Sequence, residues 1–351
     1  MPQFQNFTSE DKIVETQKVT KGFFTGDLGS VTSFITGTLS ASQDEYYLNL
    51  RQTGGTADEF SVSYGHYHGS MSSDTPVGQT KAVYWSMANL LLFPSELETQ
   101  GFTFSSSAGA AVTENDVFFV TAERARMKDR LNKKNWTIIL SGSNTAGTGG
   151  ANPLSLTDDS ANDNPTSTIA GDRYNIVSGS AGTIVSAATV KTYGFFYPDH
   201  GIMVFSGAEL SASMPGSRAS GSQVVVLDDK DHKGFAWATT TNANRKTALR
   251  FVNCLKQTGA KLQFRDEEDQ ISQQYFCRLP AGGMNFSNNP TFVSGSDNEI
   301  RNKTMWDNPT VYVSSVQLYN NNGDCVAVGS LSTPLKKNFS SEATIKVKLT
   351  Y

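Results

Sequence analysis

The last nine residues, ATIKVKLTY, alternate apolar and polar side chains without a break. Successive side chains on a strand point to opposite faces, so Ala343, Ile345, Val347, Leu349 and Tyr351 share one face. Thr344, Lys346, Lys348 and Thr350 share the other. A segment with such an apolar face is ill at ease as a loose tail in water and has to dock on a sheet. Composition points the same way. Charged residues are 18% against a typical share of about 25%, and the deficit is filled by Ser, Thr and Asn, which favour turns and pleated surfaces over helix interiors. A length of 351 residues with 38% hydrophobic side chains allows a sizeable core in one or two domains. The expectation is a mainly β chain, β-sandwich-like, with a few short helices.

Short strands and turns are predicted through the first ~65 residues, as in Gly22-Phe23-Phe24-Thr25-Gly26, Tyr46 to Leu50 and Phe60 to Tyr64. A helix is predicted from Lys81 to Phe93, with Val83, Met87, Leu90 and Leu91 on its apolar face, Thr80 at its start and Pro94 at its end. Val117 to Val120 and Trp136 to Leu140 read as buried strands flanking a short basic helix from Ala122 to Leu131. The stretch 141–167 has almost no large apolar side chain and carboxylates but no Lys or Arg. It reads as a polar surface loop or linker between two β-rich halves, 1–140 and 168–351. In the second half, strands are expected at Thr189 to Tyr197, Gly201 to Phe205 and Gln223 to Leu227. A helix from Asn244 to Gln257 should bury Ala248, Phe251, Val252 and Leu255, with a cap at Asn242 or Asn244 and Gly259 at its end. Asn320-Asn321-Asn322-Gly323-Asp324 is a hairpin signal, because Asn and Gly tolerate positive φ.

A net charge of −4, from 29 basic and 33 acidic side chains, gives no bulk attraction to nucleic acid. The three cysteines, Cys254, Cys277 and Cys325, are an odd number and scattered, which suits free thiols in a reducing cytoplasm. MPQFQNFTSEDK lacks the basic then apolar profile of a signal peptide, and no stretch approaches ~18 consecutive apolar residues, so no membrane association is expected.

Candidate chemistry is sparse. His66 and His68 stand at i and i+2 and can share a strand face, but no third ligand has a metal-site context. Ser206-Gly207 is a poor approach to a nucleophile elbow, and Cys254 falls on a buried helix face as a small hydrophobe. Tyr197-Pro198-Asp199-His200-Gly201 is turn vocabulary, and Asp266-Glu267-Glu268-Asp269 reads as a solvated charged loop. Arg124, Arg126, Lys128, Arg130, Lys133 and Lys134 form a basic cluster without the aromatic platform that nucleic-acid binding needs, so a protein interface or a solvated face is expected. No catalytic, cofactor or metal site is predicted. The interface candidates are Arg124, Arg126, Lys128, Lys346, Lys348 and Tyr351.

Several stretches resemble one family. They are Thr20-Lys21-Gly22-Phe23-Phe24-Thr25-Gly26, Tyr64-Gly65-His66-Tyr67, Arg124-Ala125-Arg126-Met127-Lys128 with Asn135-Trp136, Tyr193-Gly194-Phe195-Phe196-Tyr197-Pro198, Asn289-Pro290-Thr291-Phe292 and the terminal stretch from Asn338 to Tyr351. Together they look like virion structural proteins of contractile-tailed, T4-like phages, including those that infect cyanobacteria. The closing strand and the chain length are similar to a baseplate wedge subunit, from which this sequence departs over much of its N-terminal half. Neck and tail-connector stations stay open. The resemblance implies a non-enzymatic tail component, assembled in the host cytoplasm, that holds other tail or baseplate proteins in register and forms a homo-oligomer within the assembly. A carbohydrate-binding adhesin or receptor-binding module, also β-rich and aromatic, is the alternative from another class.

Overall fold

The computed structural model describes residues 5–27, 33–36, 47–51, 55–69, 80–106, 109–142, 152–185, 191–214, 243–255, 260–295 and 297–351. The strand expected at 223–227 and the helix caps expected at Asn242 and Gly259 lie outside them. The chain is mainly β, with antiparallel pairing at every ladder whose register is defined. It divides into two compact units, residues 19–268 and residues 1–18 with 269–351. The boundary expected within 141–167 is therefore corrected. Asn152–Asp158 is a strand inside the larger unit, paired with Thr137–Gly142 on one side and Gly171–Ser180 on the other. With so few large apolar side chains it cannot make a core, but it can borrow one. Leu156 is buried between its neighbours, Thr157 Oγ1 donates to the Trp136 carbonyl at 3.1 Å, and Asp158 Oδ1 accepts from the Lys134 amide at 2.9 Å.

In the larger unit the strand order is Thr137–Gly142, Asn152–Asp158, Gly171–Ser180, Gly194–Tyr197, Ile202–Ser206, Asp116–Ala122, Phe60–His66, Tyr47–Arg51, Ser33–Thr36. The central strands read DVFFVTA, GFFY and IMVFS, runs without alternation, as expected of strands covered on both faces. Each face has its own helix. On one, Ala243–Leu255 buries Ala248, Phe251, Val252 and Leu255, and the Phe251 ring lies 5.8 Å from Phe118 and 5.5 Å from Phe205. The sheet curls around this helix: Phe60 and Phe264 come within 5.0 Å, although six strands separate them in sheet order.

On the other face, Thr80–Leu91 packs Tyr84, Ala88 and Leu91 onto Val117, Phe119, Tyr197, Ile202 and Val204. Of the expected stripe, Leu91 is buried and Val83 and Met87 pack half-buried against this core, but Leu90 is exposed, so the buried face is turned toward Tyr84 and Ala88. Tyr84 decides this. Its hydroxyl donates to the Glu114 carbonyl at 3.1 Å and accepts from the Phe102 amide at 2.9 Å, which seats the ring on the sheet. Pro94 does end the first helix, and it also opens a second, Pro94–Thr99, where Glu96 accepts from the Phe93 amide at 3.0 Å.

Three other expectations are corrected. The basic helix from Ala122 to Leu131 is a turn followed by the short strand Arg130–Leu131. The short strands expected around Gly22 are one long strand, Lys12–Asp27. The acidic run 266–269 is no loop but part of the strand Lys261–Leu279, with Asp266 and Glu267 buried. Burial is tolerable because Asp266 Oδ1 accepts from the Lys21 amide at 3.1 Å and Glu267 accepts from Arg130 Nε at 2.8 Å.

The smaller unit is built differently. Ala343–Thr350 pairs with Lys261–Leu279 in register from Ser272↔Thr350 to Leu279↔Ala343. Val311–Tyr319 and Cys325–Lys337 form the hairpin, closed at Asn320–Asp324 with Gly323 at φ 88°. Neither hydrophobic cluster found among the described residues draws a side chain from this unit. Its buried apolar residues, Leu279, Val293, Val311 and Leu318, are few.

Candidate functional site

The feature of the smaller unit with functional content is apolar surface left in water. Twelve of the eighteen large apolar side chains exposed among the described residues belong to it, although it holds less than a third of the chain. Tyr312, Val326, Val328 and Tyr351 are each more than 60% exposed, and Trp306 is 55% exposed. Scattered exposed hydrophobes are ordinary. A concentration of them beside unpaired strand edges is the usual mark of an interaction surface.

The closing strand carries the most regular part of that surface. Ala343, Ile345, Val347 and Leu349 are only half-buried, and Thr344, Lys346, Lys348, Thr350 and Tyr351 are exposed. The Lys346 ammonium lies 5.8 Å from the centroid of the Phe276 ring. The expected docking on a sheet is present through the backbone ladder, while the apolar face is covered only in part. Nearby, Gln5, Pro280, Met284, Asn285, Phe286, Pro309 and Phe339 line an open cleft of about 630 Å³. Behind it Lys337 is fully buried, and its ammonium donates to the Asn285 side chain at 2.7 Å, the Asn338 carbonyl at 2.8 Å and the Ala281 carbonyl at 3.2 Å. The sequence signals neither the cleft nor this lysine, except that Lys337 falls opposite Val311, on the inward phase of its strand.

The other interface candidates belong to the larger unit, where local carboxylates meet Arg126 and Lys128. Arg126 forms a two-pronged contact with Glu59 at 3.0 and 3.3 Å, and this carboxylate raises the guanidinium pKa. Lys128 lies 3.7 Å from Glu268, and the Arg124 guanidinium donates to the Lys128 carbonyl. Much of the charge in this basic cluster is balanced within the chain. Among the described residues, no carboxylate pairs with either lysine of the closing strand.

The polar interior of the larger unit is structural in its geometry. Ser206 Oγ donates to Glu114 Oε2 at 2.6 Å and accepts from the Glu209 amide at 3.2 Å, which spends the hydroxyl on capping the short helix Gly207–Leu210. Tyr64 donates to Asp116 at 2.6 Å, and burial pushes its pKa well up. His66 is buried, its Nδ1 accepts from the His68 amide at 3.1 Å, and burial, with His68 nearby, pulls its pKa down to about 4. Cys254 is buried with its thiol pushed up to about 12, as its place on a core face implies. No group of three or more His, Cys, Asp and Glu side chains among the described residues is arranged to hold a metal ion. Residues 198–201 form the expected turn, with the Gly201 amide donating to Pro198 at 3.2 Å and Gly201 at φ 65°. No helix of the described residues is long and apolar enough to cross a membrane. No protein family, curated protein or solved structure matches the chain.

Proposed function

We propose that this chain is a non-enzymatic structural component of a contractile phage tail, stationed at the baseplate as a wedge protein. In this reading it is assembled in the host cytoplasm, forms a homo-oligomer within the particle and holds other tail proteins in register. The single observation that carries the reading is the contrast between the units. Among the described residues, 19–268 hold both hydrophobic clusters, whereas 269–351 leave strand edges without a second neighbour and aromatic side chains in water. An isolated protein gains nothing from such a surface and risks aggregation; a subunit gains its contacts. The resemblance of the stretches around Gly22, Gly65, Trp136, Phe195 and Asn338 to tail proteins supplies the kind of assembly.

The adhesin reading has one observation in its favour, the cleft in which Phe286 and Phe339 stand beside Asn285 and Gln5. A glycan array separates the two readings. A tail subunit gives a blank array and appears at constant stoichiometry in the peptides of purified particles. Specific glycan binding with absence from particles would contradict the proposal.

A further inference from the structure

The ladder that holds the closing strand decides which of its amides are left over. Ile271 and Tyr351 exchange both hydrogen bonds, at 2.9 and 3.0 Å. In an antiparallel pair such doubly bonded pairs recur at every second residue. The inward-bonded set is therefore Ala343, Ile345, Val347, Leu349 and Tyr351, opposite Leu279, Cys277, Tyr275, Gln273 and Ile271. The amides and carbonyls of Thr344, Lys346, Lys348 and Thr350 point away from the ladder. Among the described residues the strand pairs with no second neighbour. An eight-residue edge thus presents regularly spaced donors and acceptors, with cations on one side and a half-covered apolar row on the other.

We infer that this edge takes an added antiparallel strand from a neighbouring protein, in a segment that alternates acidic and apolar residues. The clause that the donor is a tail neighbour rests on the proposed function; the chemistry of the edge does not. Residues placed directly opposite Lys346 and Lys348 share their face, where opposite charges stabilise the pair and like charges destabilise it. The intervening residues fall beside Ile345, Val347 and Leu349 and extend the apolar row. A second copy of the same strand is the wrong occupant. Paired antiparallel about Val347, it would set Lys346 against Lys348 twice. Main-chain pairing supplies the affinity and the alternate side chains supply the choice of partner.

The test uses the full chain and a short capped peptide alternating Glu and Val, with a Lys and Val peptide as control. Binding is followed by titration and by residue-resolved amide exchange. The Glu peptide should bind, with affinity falling as salt rises, and should slow exchange at Lys346 and Lys348, whose amides exchange faster than those of Ile345 and Val347 in the free chain. Lys346→Glu with Lys348→Glu should weaken it at least tenfold and transfer preference to the Lys peptide. Lys346→Pro removes one outward N–H without touching the inner ladder, and should abolish binding that Lys346→Ser largely keeps, with thermal melting as the check on folding. The inference is overturned if the free-chain amides show no alternation, if the Glu peptide does not bind, or if both peptides bind alike. If the Glu peptide binds but the chain is absent from particles, the tail assignment fails and the edge stands. If the chain is present in particles with this edge unpaired, the edge inference fails and the assignment stands.

Discussion

At position 65 the absence of a side chain sets the distance between a helix and the sheet. A Cβ on Gly65 would lie 2.8 Å from both the Cα and the amide nitrogen of Tyr84. These are backbone atoms, so the helix itself would have to move, and Tyr84 would lose its bonds to Glu114 and Phe102. Gly65→Ala should therefore cost about 1–3 kcal/mol, read as a lowered denaturant midpoint. His66, one residue on, makes a pH prediction. Its pKa is about 4 in the fold and about 6.5 when unfolded, so between those values the unfolded chain binds more protons. The contribution is fully present above about pH 6.5 and is lost as pH falls toward 4. The loss is at most about 3 kcal/mol. Tyr64, His68, Glu114 and Asp116 lie in the same neighbourhood, so the measurement is the difference between the wild type and His66→Gln across this window. Equal pH profiles would show that His66 is not held neutral by burial.

At the scale of elements, the helix Ala243–Leu255 and the closing strand show what periodicity can and cannot convey. Phe251, Val252 and Leu255 are buried as their spacing implies, and Phe251→Ala should cost about 3–5 kcal/mol because two rings lose their partner. The 80–91 helix was legible in extent and only partly in phase. Leu91 is buried and Val83 and Met87 pack against the core as expected, whereas Leu90 is exposed and Tyr84 and Ala88 take the centre of the buried face, where Tyr84 is also held by its hydrogen bonds. Periodicity also missed Asn152–Asp158, since a strand poor in apolar residues joins the sheet on its neighbours' burial, and it missed the basic turn and the strand through 266–269, whose partners are distant in sequence. Of the candidate site, the two faces of Ala343–Thr350 were legible from alternation alone. How far the apolar face is covered was not, because that depends on what packs against it. Deleting residues 343–351 removes the ladder partner of Ser272 to Leu279, and should destabilise the smaller unit while leaving the buried residues around Phe251 protected from amide exchange. Unchanged exchange throughout 269–342 would show that the strand supports nothing.

On the scale of the whole molecule, one unit satisfies its apolar side chains internally and the other does not. The division has a physical consequence for any environment in which the chain is stable. Residues 19–268 hold a curled sheet with a helix on each face, so their stability rests on their own burial. Residues 269–351 offer edges, a cleft and exposed aromatics, and burying each large side chain there is worth up to about 1.5–3 kcal/mol. A tail neighbour would supply that burial, and the position of Lys346 and Lys348 on an open edge gives the contact a sign of charge. In the proposed reading, residues 269–351 are an assembly surface within a contractile tail. An averaged density map of the intact particle tests it most directly. The expected map places this chain in the baseplate, with Ala343–Thr350 and the exposed rings of the smaller unit against a neighbouring protein; a map that lacks the chain, or shows those residues facing solvent, would contradict the proposed function.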